Sequence, residues 1–413
     1  MTAPGGQDFG ARVAELRRRR GLTQGELAAS IGRTASWVSQ VERGIQPVNR
    51  LDVLRLLADG LDVALNVLQP EVPTASEPEA AAAAESRNDL DQARLAISGH
   101  PALDVLLGPR QEDPGGRLDE LCQEVDRVWA LTHAGRFAEL SEALGPLVPR
   151  LERVSRTASD GDRSVARQLL ARTYQALASA FVRQNEADAA WVAADRAIRA
   201  AEQADDELGV FVGVFRLVHA FVRLQHLDQA EHAAVTAINA LAPHAESEPV
   251  RTEELSVLGS LHLALALVHA RSGHRTAARE QISRARAVAE RVGDGRNDYN
   301  LEFGPVNVEI QAVSAAVELG DAGEALDIAD TVDTSGLSAE RRARMLMDVG
   351  RAHTQRRQFG DALASLLAAE EVTPEVIRNH PTAREVVREL MLMAGRAASP
   401  ELRALADRVN ASV

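Results

Sequence analysis

One short segment, residues 34–42, carries polar side chains on the outside of a predicted helix. Val38 and Val41 fall on the inward face of that helix. The positions that point outward are Ser36, Trp37 and Gln40. Hydroxyl and amide groups on a short exposed helix can bond to base edges in the major groove of DNA, which admits an element of that width. The segment therefore favours a nucleic-acid contact.

A basic patch lies upstream, in four consecutive arginines at residues 17–20. The whole chain has a net charge of −14, which argues against phosphate binding over most of its surface. Up to Gln69, however, the chain has nine arginines and seven carboxylates, so the acidic excess lies entirely in the later residues. Because a run of arginines is often only a solvated face, its interpretation depends on the motif beside it. All 46 basic residues are arginine, a bias that suits a GC-rich bacterial genome.

The 11 histidines invite a metal or acid–base interpretation. Two pairs, His219 with His226 and His262 with His269, are seven residues apart and share a helix face. No cysteine or carboxylate completes a ligand set around them at the usual spacing. The sequence also contains no phosphate-binding loop, dinucleotide fingerprint, nucleophile elbow or zinc-protease motif. We therefore predict no metal site, no cofactor and no enzymatic activity.

The cellular compartment follows from what the sequence lacks. Cys122 is the single cysteine, so it cannot form an internal disulfide. No apolar run approaches the roughly 20 residues that span a bilayer, and the N-terminus does not resemble a signal peptide. These features predict a cytoplasmic protein with no membrane partner.

Two predicted helices must position the outward polar helix. The first is expected from Asp8, as its cap, through Arg20. The second begins at Thr23, which has capping-box spacing with Glu26. Gly32 supplies the left-handed backbone that ends the second helix and turns the chain toward the third.

These residues resemble a known DNA-binding domain. The matching positions are Leu22-Thr23-Gln24, Glu26-Leu27-Ala28, Gly32, Val38-Ser39-Gln40-Val41-Glu42 and Gly44. They are similar to the helix-turn-helix domain of phage lambda-type repressors, Cro and the xenobiotic-response-element family, over about residues 8–69 without a gap. The resemblance implies a five-helix domain that binds an operator in double-stranded DNA as a homodimer.

The same resemblance implies a role for the exposed residues around the third helix. Gln24 would bond a backbone phosphate and brace that helix. The residues that would face base edges are Ala35, Ser36 and Gln40. Because Ala35 has only a methyl group, its contact would be apolar, for example with a thymine methyl. Thr34 and Arg43 would reach phosphates.

Trp37 is also expected on the DNA-binding face, and the alternative is that it packs against the sugar-phosphate chain or the following loop. Two further positions have a structural role. Arg17 and Glu42 occupy positions that form a partly buried ion pair in the family. An alternative keeps the fold but makes it a protein-docking domain, as in some antitoxin relatives; Gln24, Arg43 and the arginine run favour DNA binding.

Composition divides the remaining chain. Residues 70–88 are rich in proline, small polar residues and alanine, which is typical of a tether. Residues 89–116 contain several prolines and glycines and stay unassigned beyond a short helix or two. Residues 117–413 show apolar residues at helical period.

The helices of residues 117–413 repeat in pairs. The clearest unit comprises Val349-Gly350, His353, Phe359, Ala362, Leu366, Ala369 and Pro374, the spacing of a tetratricopeptide repeat. Corresponding alanines form a column at Ala190, Ala230, Ala278, Ala325 and Ala362. His269 and His353 fall where such units place a packed aromatic, so we expect them in the core. The pattern predicts an all-α protein in which the first domain is joined to a right-handed α-solenoid of helical hairpins with a concave groove.

Further likenesses concern the combination of domains. Residues 303–308, 317–321 and 341–344 are similar to those of actinobacterial regulators that pair this DNA-binding domain with tetratricopeptide-like repeats. The architecture also resembles the quorum-sensing receptors of Gram-positive bacteria, which bind small secreted peptides in the repeat groove. This resemblance implies a ligand-responsive regulator.

The repeat register places charged residues along the groove. Two positions before the turn of successive hairpins stand Arg183, Arg223, Arg271, Glu318 and Gln355. Neighbouring groove positions are Arg172, Arg351, Phe215, His219 and Asn307. Guanidinium groups suit carboxylate or phosphate, so we predict an anionic ligand, either a peptide or a small molecule. The alternative is that these arginines are solvated or paired with carboxylates on adjacent helices.

Together these patterns predict a sequence-specific, DNA-binding transcription regulator. Residues 1–69 would bind DNA, and the repeats of residues 117–413 would sense a ligand and mediate dimerisation. A DNA-bound scaffold, whose repeats recruit a protein partner without a small ligand, is the competing prediction.

Overall fold

The computed structural model describes residues 4–44, 48, 51–61, 63, 68, 90–99, 118–246 and 249–411. Over these residues all regular secondary structure is helical, which confirms the predicted all-α class. None of the helices in this described part has the length and apolar character that a membrane crossing requires. Contacts divide the chain into two compact units: Met1–Ser86 together with Arg384–Val413, here called the N-terminal unit, and Arg87–Ala383, the repeat unit.

Local signals set the boundaries of the first helices. These helices are α1 Pro4–Arg19, α2 Gln24–Ser30, α3 Ala35–Glu42 and α4 Leu51–Leu61. The Thr23 hydroxyl accepts from the Glu26 amide, and the Glu26 carboxylate accepts from the Thr23 amide, which confirms the predicted capping box. Gly32 has a φ of +63°, the left-handed conformation that was predicted to end α2.

The N-terminal unit differs from prediction at its start. Helix α1 begins at Pro4, so Asp8 lies inside the helix and is not its cap. Proline is well tolerated in the first turn of a helix, where its missing N–H has no partner to lose. The predicted fifth helix and the predicted tether at residues 70–88 fall almost entirely outside the described residues.

Helices α1 to α4 surround a common apolar core. Its fully buried members include Val13, Leu27, Val38, Val41 and Leu57. Gly10 allows α1 to approach α3 closely, because a Cβ there would collide with the carbonyl oxygen of Val41. The core fixes α3 against α1 and α2 and leaves Ala35, Ser36 and Arg43 of α3 exposed.

The C-terminal residues do not follow the predicted division. Residues 384–413, which include α20 Pro400–Arg408, group with the N-terminal unit, although the sequence had placed them in the repeat domain. Their helical period is the same as that of the repeats, so periodicity gives no signal for this boundary.

The repeat unit contains most of the helices. They are α5 Asp91–Ile97, α6 Leu118–Ala134, α7 Phe137–Thr157, α8 Asp160–Arg183, α9 Ala187–Gln203, α10 Glu207–Arg223, α11 Leu227–Glu246, α12 Thr252–Arg271, α13 Arg275–Val292, α14 Pro305–Leu319, α15 Ala322–Ala329, α16 Ala339–Gln355, α17 Phe359–Val372, α18 Pro374–Asn379 and, across the division between units, α19 Pro381–Ala394.

Six helical hairpins follow one another from α6 to α17, and each turns through one left-handed residue. Those residues are Gly135, Asn185, Gln225, Gly273, Gly320 and Arg357. The five alanines of the predicted column are at most 1% exposed, so each second helix packs closely on its first. The repeating backbone conformation and the buried alanines confirm the helical-hairpin repeat.

The first and last hairpins of the repeat unit are in contact. Helix α6 packs against α16, and the Phe137 amide donates to the Glu375 carboxylate at 2.7 Å. Gly135, with a φ of +71°, lies directly beside Thr373, where any side chain would collide with the threonine methyl. The array of hairpins therefore returns on itself, and the ends of its first helices surround an interior.

Candidate nucleic-acid interface and interior arginine pocket

Helix α3 presents one polar face to the outside. Thr34 caps the helix, its hydroxyl accepting from the Trp37 amide at 3.2 Å. Ala35, Ser36 and Arg43 are exposed and Gln40 is half-buried, whereas Val38 and Val41 are buried. Residues 36, 40 and 43 follow helical spacing and so lie along one face. This face could lie against a nucleic-acid groove.

Trp37 differs from its predicted outward orientation. It is half-buried and packs against the apolar core of α1 to α4. The Arg33 guanidinium lies 5.7 Å from the centre of its ring, a cation–π contact. The indole therefore stabilises the N-terminal end of α3 from within the domain.

A buried ion pair holds the other end of α3. Arg17 donates to both carboxylate oxygens of Glu42, at 2.5 and 3.1 Å, and also to the Leu22 carbonyl at 2.7 Å. The two side chains are 12% and 8% exposed, which confirms the partly buried pair expected from the family resemblance. Gln24 adds a hydrogen bond from its amide nitrogen to Glu42, at 2.7 Å. This contact ties the start of α2 to the end of α3.

The charge of Glu42 is stabilised by these partners. Burial alone would raise the pKa of its carboxyl, but the hydrogen bonds from Arg17 and Gln24 outweigh burial and keep that pKa below its ordinary value. Each nitrogen of the Arg17 guanidinium and the Gln24 amide nitrogen donates to an acceptor, so the network holds α1, α2 and α3 in fixed positions.

The repeat unit has a small interior cavity of about 60 Å³. The residues that line it are Val182, Arg183, His219, Val222, Arg223, Leu267, Arg271, Ser314, Glu318, Arg344, Met347, Asp348, Arg351, His380 and Thr382. Most come from the C-terminal ends of α8, α10, α12, α14 and α16, the first helices of successive hairpins. We call this cavity the arginine pocket.

Six of the ten residues predicted along the groove meet in the arginine pocket. They are Arg183, His219, Arg223, Arg271, Glu318 and Arg351. The other four have different surroundings, and one of them, Gln355, donates to the Val317 carbonyl at 3.1 Å. Arg172 pairs with Asp126 at 2.7 Å, Phe215 packs edge-on against His219, and Asn307 accepts a hydrogen bond from Arg341.

Carboxylates partner several of the pocket arginines. Arg183 donates to both oxygens of Glu340, at 2.7 and 3.2 Å. Burial favours protonation of Glu340, yet Arg183 and Arg344 outweigh it and lower the pKa of that carboxyl to about 2. These arginines fit the predicted alternative of pairing across adjacent helices.

Arg351 is the best-paired guanidinium in the pocket. It donates to Asp348 and to Glu318, each at 3.1 Å. Burial lowers the pKa of Arg351, but the two carboxylates more than reverse this and raise it overall. Glu318 also lies 3.5 Å from Arg271 and is thus shared between two arginines.

Arg223 is held differently. Among the described residues no carboxylate lies within ion-pair distance of it, although Glu318 is near enough to offset part of its charge, and its side-chain hydrogen-bond partner is His380 Nε2, at 3.3 Å. Burial, reinforced by the charges of Arg271 and Arg344, lowers the pKa of Arg223 to about 9. The guanidinium is therefore charged at neutral pH but poorly compensated.

His380 cannot satisfy both of its neighbours. Its Nδ1 accepts from the Thr382 amide at 3.2 Å, while its Nε2 faces a nitrogen of Arg223. Burial and the nearby arginines hold the pKa of His380 well below its usual range, so the ring is neutral. A neutral imidazole has only one acceptor nitrogen. One of the two facing donors therefore lacks an acceptor.

Sequence reasoning missed Arg344, His380 and Thr382 as lining residues of the pocket. They lie in the last hairpin or beyond it, outside the column of residues two positions before each turn. It also missed Arg216, which is 8% exposed, with Nε unpaired and a pKa that burial lowers to about 9. Its position in the repeat, near the middle of α10, carried no distinguishing pattern.

A different trio of ligand-type residues lies near the turn between α12 and α13. Glu231, His269 and His274 each have one ligand atom within 4.8 Å of the other two. His269 is buried, as predicted for a core position. The trio comes from two hairpins, so the seven-residue spacing considered in the sequence could not reveal it.

Comparison with known proteins assigns the first domain. Residues 8–69 match the family described as helix-turn-helix domain. No curated protein matches the chain. Among solved structures, the crystal structure of Bacillus thuringiensis PlcR in complex with the peptide PapR7 and DNA is similar, with 13% sequence identity and a TM-score of 0.33. The likeness covers 89% of this chain and 99% of that one.

Proposed function

We propose that the protein is a sequence-specific DNA-binding transcription regulator and not an enzyme. One observation carries this proposal: the segment that matches a helix-turn-helix domain has its third helix held by the Arg17–Glu42–Gln24 network, with Ala35, Ser36 and Arg43 exposed on the outer face. A short, rigidly held helix with a polar outer face suits the major groove.

The residues of that face have distinct proposed roles. Ser36 and Gln40 bond to base edges, and Ala35 contacts a thymine methyl. Arg43 is exposed and reaches a phosphate, and the cap residue Thr34 contacts the adjacent backbone. Gln24 keeps its bond to Glu42 and directs its remaining polar atoms to a phosphate.

We further propose that the protein binds its operator as a homodimer. A single domain of this size buries too little surface for tight specific binding, and two domains on half-sites about one helical turn apart supply the rest. The repeat unit would supply the dimer contacts and respond to an anionic ligand, because unpaired positive charge is concentrated in its interior.

The test begins with selection of bound sequences from random duplex DNA by the full-length chain. A palindromic site with two half-sites supports the proposal. Binding without sequence preference, or recovery of a single half-site, contradicts it. Arg199→Ala, at an exposed arginine of the repeat unit that pairs with Asp195 at 2.9 Å, is a control that should select the same sequences.

A further inference from the structure

The arginine pocket has more positive than negative charge. Five guanidiniums line it, and two carboxylates, Glu318 and Asp348, line it with them. Glu340, the partner of Arg183, is the third nearby carboxylate. Even with all three ionised, two positive charges remain without a counter-charge. The five arginines are half-buried, so solvent compensates part of this excess, and their charge stays accessible to an anion that enters the cavity.

Two observations locate the excess. Arg223 has no carboxylate partner among the described residues, and Arg344 lies 3.8 Å from Glu340, whose oxygens are already engaged by Arg183. Arg271 shares Glu318 with Arg351, at the longer distance of 3.5 Å, and its Nε atom is buried without an acceptor. The excess charge therefore lies on Arg223, Arg271 and Arg344, and among these three Arg271 Nε is a buried donor without an acceptor.

The hydrogen bonds of His380 point to a missing acceptor at the same place. The neutral ring has one acceptor nitrogen, yet donors face both nitrogens: the Thr382 amide at Nδ1 and Arg223 at Nε2. In the tautomer that accepts from Thr382, both the ring and Arg223 donate, and a negatively charged acceptor between them would satisfy both groups. Protein groups described around the pocket do not supply it.

Cavity size restricts what can enter. About 60 Å³ is several times the roughly 10–15 Å³ that one water requires. It is far below the roughly 300–1,000 Å³ of sites that enclose drug-sized ligands. An extended peptide segment does not fit this volume, whereas a tetrahedral anion of five heavy atoms does.

We propose that the arginine pocket binds a small dianion, a phosphate group, between Arg223, Arg271 and Arg344. The group is either free phosphate or the phosphoryl end of a small ester. The two negative charges of the phosphate match the two uncompensated positive charges. Its oxygens can accept hydrogen bonds from guanidinium groups on three different helices. This deepens the sensory role proposed for the repeat unit and rests on that role only for its link to DNA binding.

Phosphate bound at this position would bridge hairpins. Arg223 ends α10, Arg271 ends α12 and Arg344 lies in α16, so the dianion joins separate parts of the array. Its binding would hold the interior ends of these helices together and increase the free energy of unfolding of the repeat unit.

The first experiment measures thermal unfolding of the full-length chain at pH 8 with increasing inorganic phosphate, against sodium chloride at equal ionic strength. We expect a saturable rise in Tm of several degrees with phosphate and none with chloride. An equal response to both salts would overturn the proposal. A parallel series with methyl phosphate distinguishes the two sources. A rise in Tm with methyl phosphate shows that the pocket admits an ester. A rise with inorganic phosphate but none with methyl phosphate assigns free phosphate.

Variants assign the effect to the pocket. In Arg223→Gln we expect the phosphate-dependent rise in Tm to disappear and the phosphate Kd from calorimetric titration to weaken at least about tenfold. Arg344→Gln provides the same test should the first variant fold poorly. Arg199→Gln, at an exposed arginine paired with Asp195 on α9, is the matched control and should respond like the unchanged chain. Full retention of the phosphate response in folded Arg223→Gln or Arg344→Gln would overturn the assignment.

Operator binding then distinguishes this inference from the proposed function. A chain that binds phosphate but whose operator affinity is independent of phosphate has the site without the sensory role. A chain that binds phosphate but no specific DNA contradicts the regulator and leaves the site standing. Operator binding without any phosphate-specific stabilisation contradicts the site and leaves the regulator standing.

Discussion

In the N-terminal unit Arg17 donates to both oxygens of Glu42, whereas in the repeat unit the side-chain hydrogen-bond partner of Arg223 among the described residues is a histidine nitrogen. Both side chains are arginines of a packed helical unit. In the first case the charges are matched and the donors have acceptors, so the pair fixes the positions of helices. In the second, the donors outnumber the acceptors. Arginine burial alone therefore does not mark a binding site; the balance of donors and charges around the arginine does.

The largest effect should come from breaking the matched pair. In Glu42→Ala, Arg17 remains largely buried without its partner, which should reduce the free energy of unfolding of the N-terminal unit by about 3–5 kcal/mol. Denaturant titration of the full-length chain would measure this. Glu15→Ala removes an exposed partner of Arg19 and should cost below about 1 kcal/mol. Similar losses for both variants would refute the contrast.

Acidification should separate the two regions next. The pKa values of His219 and His380 are held well below their usual range, by burial first and by nearby arginines second. The unfolded chain therefore takes up these protons first, and the repeat unit loses stability as pH falls below about 6.5, by up to about 1.4 kcal/mol per pH unit for each histidine.

Glu42 responds at lower pH. Its folded-state pKa is depressed, so its contribution is present above the unfolded value of about 4.3 and is lost only as pH falls through the folded value. As the pH falls from 7.5 to 5 in chloride buffer, the free energy of unfolding should thus decrease for the repeat unit and stay nearly constant for the N-terminal unit. His380→Gln should reduce the slope. If the stability of the repeat unit does not change over this pH range, the pKa values of these histidines are not lowered by their surroundings.

The proposed DNA-contacting face offers a third comparison. Gln40→Ala should lower discrimination between operator and mismatched sites by about 1–3 kcal/mol, because a base contact is lost. Arg43→Ala should instead weaken binding to all sequences and lower the salt slope by about 1. Fluorescence anisotropy at several salt concentrations would measure both quantities. Indistinguishable behaviour of the two variants would contradict these roles.

The smallest effect should come from the poorly matched arginine. Arg223→Met removes a charge that nearby arginines repel and replaces it with an apolar side chain of similar length. In chloride buffer this should leave stability unchanged or raise it by about 1 kcal/mol. Chemical denaturation would show it. A loss of several kcal/mol would mean that Arg223 stabilises the fold in the same way as Arg17.

Local signals explain what could be predicted from the sequence. The Thr23–Glu26 capping box, Gly32, the buried alanine column and the Arg17–Glu42 pair follow from short spacings or from a family pattern that spans one small domain. The groove column was also predictable, because a residue two positions before each turn has a fixed place in every hairpin.

Contacts between distant parts of the chain account for what was missed. Arg344 and His380 reach the pocket because the last hairpin meets the first, a contact between residues more than 200 positions apart. Neither helical period nor repeat register specifies how far such an array curves. Trp37 differed for another reason: a large ring at the margin of a small domain gains more by packing on the core than by exposure.

The contact between Phe137 and Glu375 also affects how the repeat unit should unfold. An open array of hairpins unfolds approximately as a chain of coupled neighbours, and units can be added or removed at its ends. Here the first and last hairpins stabilise each other, so removing any one would leave two ends that no longer meet. The number of hairpins is thereby fixed, and the unit should unfold in a single cooperative step rather than fray from its ends.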